Sequence, residues 1–192
     1  MKMYWKRLFF ILLGINIAVL AVLAFLLYVP ADEDLDLQDY DDEQLVKFNI
    51  QSNKKDLNKL INHYIETEGP KSPFKYNVLL TDEVELYGTI KVFTQDIEMK
   101  LTFEPEALPN GDLLLKQKSI SIGQLQLPVS YVLKFIRDKY DFPRWVIIQP
   151  NDEMIYVSLQ KMKLKSDIKV KVDEFNLKSD LIKFTLMVPT QR

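Results

Sequence analysis

Ile97-Glu98-Met99-Lys100-Leu101-Thr102-Phe103 alternates apolar and polar side chains without a break. A period of two puts Ile97, Met99, Leu101 and Phe103 on one face and Glu98, Lys100 and Thr102 on the other, the pattern of a half-buried β-strand. Upstream, Val84, Leu86, Ile90 and Val92 share one face with Gly88 between them. Glu85, Thr89 and Lys91, joined by Tyr87 and Phe93, share the other. Downstream, Pro109-Asn110-Gly111-Asp112 is a turn signal leading into a strand near Leu113 to Ile122. Gly123 shifts the phase there and predicts a bulge or bend. Adjacent strands joined by turns predict an antiparallel meander.

Two helices flank this meander. Leu57, Leu60, Ile61, Tyr64 and Ile65 recur at helical spacing, with Ser52 or Asn53 as cap and Gly69-Pro70 as stop. Val129, Val132, Leu133, Phe135, Ile136 and Tyr140 give a second helix a wide apolar face, after Pro128 in its first turn and before Phe142-Pro143. Trp145 to Gln149 then reads as an apolar strand broken by Pro150-Asn151-Asp152. Ile155, Val157 and Leu159 alternate, as do Ile168, Val170 and Val172, and Ile182, Phe184, Leu186 and Val188 make the last strand. Helices separated by runs of antiparallel strands predict an α+β fold, a curved antiparallel sheet packed on two helices.

The N-terminus predicts something different. Leu8 to Val29 is an apolar run of 22 residues, interrupted by Gly14 and Asn16. As a helix it would rise roughly 33 Å, enough for a bilayer core. Lys2, Lys6 and Arg7 precede it and Asp32-Glu33-Asp34 follows, so the expectation is a single-pass N-terminal transmembrane helix, N-terminus cytoplasmic and C-terminal domain extracellular. Tyr4, Trp5 and Tyr28 suit the interfaces. Val22-Leu23-Ala24 offers a signal-peptidase type of site, but the run continues through Val29, which favours an uncut anchor. The expected organisation is therefore 1–30 cytoplasmic stub and anchor, 31–44 acidic linker, and 45–192 extracytoplasmic domain. The linker holds eight acidic residues and no basic one. It lacks the glycine that an EF-hand loop needs, so it reads as a solvated tether.

Composition excludes more chemistry than it suggests. There is no cysteine, hence no disulfide, thiolate metal site or cysteine nucleophile. The one histidine, His63, lies beside the apolar stripe of its helix, without a Gly-x-Ser-x-Gly elbow anywhere in the chain. The five glycines (14, 69, 88, 111, 123) are too scattered for a phosphate-binding loop. One histidine and no cysteine cannot build a zinc site. Glu83/Glu85 and Glu104/Glu106 are carboxylate pairs of the kind glycoside hydrolysis uses, but they fall at strand edges or turns and read as solvent-facing charges. Residues 45–192 carry nineteen acidic and twenty-two basic residues, too even a balance for nucleic acid. No catalytic residue, cofactor or metal is expected, and the protein reads as a non-enzyme.

What remains is apolar surface. Tyr87, Phe93, Leu113, Leu115, Tyr156 and Met187 sit on nominally outer strand faces. One account covers both faces by helices and neighbouring strands. The other leaves an apolar groove open for an acyl chain, lined by Leu86, Ile90, Val92, Met99, Leu101, Phe103, Val132, Phe135 and Ile136.

Several stretches carry a family likeness: the basic N-terminus before the apolar run, Asp56-Leu57-Asn58-Lys59-Leu60-Ile61, Glu85-Leu86-Tyr87-Gly88 and Leu127-Pro128-Val129. The closing part from Ile168 through Phe175-Asn176-Leu177 to Ile182-Lys183-Phe184 adds to them. On these the chain resembles the YpmS-like proteins of Gram-positive bacteria. The resemblance implies an anchored extracytoplasmic cell-envelope protein and transfers no catalytic residues. The helix-plus-meander layout is also similar to tubular lipid-binding domains, by fold analogy. The resulting expectation is a membrane-tethered domain that binds a lipid or other amphiphile. Its alternative is an interaction module for another cell-envelope protein, such as a surface hydrolase.

Overall fold

The structure is a computed structural model and describes residues 2–28, 45–67, 76–92, 95–123, 127–162, 164 and 167–190. The expected linker 31–44, the helix stop at Gly69-Pro70 and Phe93 lie outside the described residues. The chain divides into two compact units, Met1–Ala31 and Asp32–Arg192.

The first unit is helix α1, Lys2–Tyr28. The expectation of a membrane-spanning anchor, and of the cell-membrane placement built on it, is corrected: among the described residues no helix is long and apolar enough to cross a membrane. The expectation rested on the whole run Leu8 to Val29, of which Val29 lies outside the described residues.

The second unit contains β1 (Leu45–Ser52), α2 (Lys54–Thr67), β2 (Tyr76–Leu80), β3 (Val84–Val92), β4 (Gln95–Ala107), β5 (Leu113–Ile122), α3 (Val129–Lys139), β6 (Val146–Gln149), β7 (Met154–Val157), β8 (Lys169–Asn176) and β9 (Leu181–Pro189). A short 3-10 turn covers Leu159–Lys161. The described elements are mostly antiparallel strands with helices, and the expected single curved sheet is not found. The strands form two antiparallel sheets, one of six in the order β2-β3-β4-β5-β7-β6 and one of three in the order β1-β9-β8. The smaller sheet joins the two ends of the unit, Leu45 opposite Pro189 and Ser52 opposite Ile182. Such a long-range pairing has no local sequence signal.

The meander follows the alternation that predicted it. Val84 pairs with Phe103 and Val92 with Gln95 across β3 and β4. The bend expected at Gly123 is present as a turn, and a register shift lies between Thr102 and Phe103, where Ser119 and Gln117 face successive residues of β4. Gly123 has φ +52°, and its N–H donates to the Glu98 carbonyl at 3.0 Å, closing the end of β5. Asn53 caps α2: its Oδ1 accepts from the Asp56 N–H at 2.9 Å and its Nδ2 donates to Asp56 Oδ2 at 3.0 Å.

One apolar cluster holds the unit together. Met99, Leu101, Phe103, Val84 and Ile122 of the large sheet meet Leu57 of α2, Val132, Leu133 and Ile136 of α3, and Leu177 and Ile182 from the small sheet's end. Burying each of these large side chains contributes roughly 1.5–3 kcal/mol.

Candidate interaction surface

The positions expected to line a groove are brought together, inside the core. Met99, Leu101, Phe103, Val132 and Ile136 belong to the buried cluster and are at most 3% exposed; Leu86 packs against it. Phe135 is half-buried on α3, its ring edge-on to Tyr140 with centroids 6.4 Å apart. Ile90 and Val92 lie on β3 opposite Ile97 and Gln95, and their side chains are outside the described set. Of the outer-face residues, Leu113, Tyr156 and Met187 are buried, Leu115 packs on the core, and Tyr87 is 38% exposed.

The acidic pairs are each engaged by lysine. Lys118 bonds Glu83, and Lys116 lies 2.5 Å from Glu106. Glu85 accepts from the Tyr87 hydroxyl at 2.5 Å and from Lys100 at 3.0 Å. The tyrosine bond first, then the lysine, hold the Glu85 carboxyl below the usual carboxylate range. Glu104 lines an open cleft of about 430 Å³ with Asp82, Asp173, Glu174, Phe175 and Leu177. Three of those carboxylates already have partners: Lys54 on Asp82, Lys183 on Glu174, and the Thr185 hydroxyl on Asp173. His63 is exposed on α2.

A buried polar knot fixes the turn between β4 and β5. Asp112, 2% exposed, accepts from the Tyr156 hydroxyl, from Asn110 Nδ2 at 3.0 Å and from Ser158 Oγ at 3.3 Å. Gln160 Nε2 donates to the Asn110 carbonyl at 2.5 Å. Burial first, then the Asp112 carboxylate, push the Tyr156 hydroxyl up to about 12. Gly111, at φ +86°, lies so close to β8 that a Cβ there would sit 2.6 Å from Lys171 Cγ. Its carbonyl accepts from the Val172 N–H at 2.8 Å. These contacts consume the donors of the knot in holding β5, β7 and β8 together.

Among the described residues, strand β1 presents a row of exposed apolar side chains. Among the described residues it pairs with β9 alone and so forms an edge of the small sheet. Val46, Phe48 and Ile50 share one face, at 43%, 54% and 42% exposure. Across the pair they stand opposite Val188, Leu186 and Phe184, all half-buried, and β9 carries the same face on to Val170 and Val172 of β8, both buried. The apolar face is thus covered at β8 and bare at β1.

The other long edges are treated differently. Along β2, Asn58 and Asn62 of α2 each exchange two hydrogen bonds with the strand backbone. Asn58 Nδ2 donates to the Leu80 carbonyl at 3.0 Å and its Oδ1 accepts from the Leu80 N–H at 2.7 Å. Asn62 does the same with Val78 at 2.8 and 3.2 Å. At β8 the Gly111 carbonyl takes the Val172 N–H. Edges of this kind are normally closed because open ones pair with other chains. The sequence expectations place no strand between the acidic stretch and the first helix, where β1 lies. The alternation Val46-Lys47-Phe48-Asn49-Ile50-Gln51 was the signal that would have found it.

Two comparisons bear on kinship. A family described as "Uncharacterized protein conserved in bacteria" matches residues 3–188. "Uncharacterized protein YpmS" of Bacillus subtilis (strain 168) is 35% identical over 187 residues, 97% of this chain and 98% of the relative. No solved structure matches the chain.

Proposed function

The chain belongs to the YpmS-like family of bacterial proteins, and from that premise we propose that it is a non-catalytic interaction module that takes up an extended segment of a partner protein along β1. One observation carries the reading: an eight-residue edge strand presents three large apolar side chains, each more than two-fifths exposed. Main-chain hydrogen bonds along such an edge supply affinity, and the alternate side chains supply selectivity. The closed edge at β2 supports the same reading, because this fold has the means to seal an edge and, among the described residues, no side chain is seen to bond the β1 backbone in the way Asn58 and Asn62 bond β2.

The test is a photoreactive amino acid at position 48 of the full-length chain in cells, with position 116 on β5 as control. A discrete adduct at 48, absent at 116 and lost when Val46 and Ile50 become Asp, is expected. No adduct at 48 above the control sinks the reading.

A second reading, uptake of an amphiphile, is favoured by the convergence of Leu86, Met99, Leu101, Phe103, Val132 and Ile136 on one apolar cluster. It requires α3 to part from the sheet. Native mass spectrometry of protein purified without delipidation decides it: a discrete added mass supports uptake, and a clean apo mass removes it.

A further inference from the structure

Resting on the reading of β1 as a docking edge, we propose that the segment this edge fits is β1 of a second copy of the chain. The two strands would pair antiparallel about a two-fold axis through Phe48, and the argument is register. In an antiparallel pair, residues directly opposite point to the same side, so any two-fold centred on a residue keeps the apolar faces together. Only some centres match the side chains. Centred on Lys47, the pairing sets the two like charges opposite each other, which is destabilising. Centred on Asn49, it leaves Val46 opposite Ser52 of the second copy.

Centred on Phe48, all three apolar residues find apolar partners: Phe48 faces Phe48, and Val46 faces Ile50 twice over. On the opposite face Lys47 then stands against Asn49, clear of the other lysine. Strand β1 carries Lys47 and no carboxylate, so this register alone both uses the full apolar row and separates its charges. The product is a continuous six-stranded sheet, β8-β9-β1 from each copy, whose bare central stripe is shared by both. An isologous contact of this kind closes on itself and leaves no further edge at β1.

The absence of cysteine makes the register directly readable. Single cysteines are placed at 46, 48 and 50, with Lys116→Cys as exposed control, in the full-length chain under mild oxidation. Phe48→Cys should form a disulfide-linked dimer at least tenfold faster than Val46→Cys, Ile50→Cys or the control, each alone. Mixing Val46→Cys with Ile50→Cys should restore rapid crosslinking between them. Sedimentation equilibrium of the cysteine-free protein should show a monomer–dimer equilibrium. Phe48→Asp should weaken it at least tenfold, with circular dichroism verifying the fold.

A strictly monomeric protein, or a cysteine at 48 that crosslinks no faster than one at 116, overturns the proposal. If self-pairing fails while position 48 still yields an adduct with a different protein in cells, the docking edge stands and only the second copy is lost. If both fail, the edge reading falls as well.

Discussion

The side chain of Asn58 and the backbone of Leu80 form a closed pair of hydrogen bonds, 3.0 Å from Nδ2 to the carbonyl and 2.7 Å from the N–H to Oδ1. An amide side chain on a helix thereby stands in for a neighbouring strand. Asn62, one turn on, repeats the bond with Val78, so α2 closes the β2 edge with two amides at the spacing of one helical turn.

Replacing Asn58 by Leu should therefore cost more than the contact area suggests. Two half-buried backbone groups of Leu80 lose their partners, at roughly 1–3 kcal/mol for each group left unsatisfied. Urea unfolding should show the loss in the midpoint. Asn58→Leu should also aggregate more readily than Leu60→Ala, a change at an exposed position of the same helix. Equal behaviour of the two variants would mean that the amides do not seal the edge.

Tyr156 makes stability depend on alkaline pH. Its hydroxyl is held protonated up to about 12, against 10 for the free group. A folded-state value above the unfolded one means that the contribution is complete below pH 10 and is lost as pH rises towards 12. A difference of this size corresponds to roughly 2–3 kcal/mol. The wild-type thermal midpoint should fall more steeply between pH 10 and 12 than that of Tyr156→Phe. The variant itself should be less stable at pH 7, since Asp112 loses a buried donor. Parallel curves would remove Tyr156 from the account.

Gly111 is predicted to resist substitution for two separable reasons. Gly111→Ala places a Cβ against the Lys171 side chain and also forces φ +86° on a residue with a side chain. Adding Lys171→Ala should relieve the collision but not the backbone strain, so the double variant should recover only part of a loss of roughly 1–3 kcal/mol. Full recovery would show that the collision alone matters.

Leu101 is fully buried in the cluster between the large sheet and the helices. Leu101→Ala should lower unfolding stability by about 2–5 kcal/mol, as expected of a packed core position. A loss under about 1 kcal/mol would instead mark a site that collapses or opens easily, which would strengthen the amphiphile reading at the expense of the edge.

The strands were largely legible before the structure because their burial is one-sided. Ile97 to Phe103, Val84 to Val92 and Ile182 to Val188 each show the period of two that a half-covered sheet imposes. Both domain helices were legible for the matching reason, an apolar stripe against that sheet. Whether that inward face leaves a groove is not legible in the sequence: Met99 or Leu101 looks the same whether it faces a void or Ile136. Apolar periodicity reports which face is turned inward and says nothing of how tightly it is filled.

By itself, then, the sequence determined the family, the antiparallel strands, the two amphipathic helices of the second unit and the lack of cysteine chemistry, because these are local patterns or counts. Only the tertiary structure decided that the strands divide into two sheets, that β1 joins β9 across the whole unit, and that Asp112 and Tyr156 meet in a buried knot. It also decided which edge is sealed by asparagines and which is bare. Those outcomes depend on contacts between residues far apart in the chain. Such contacts form when the sum of burial and hydrogen bonding over the whole fold outweighs the entropy of closing long loops, and no short stretch of sequence carries that sum.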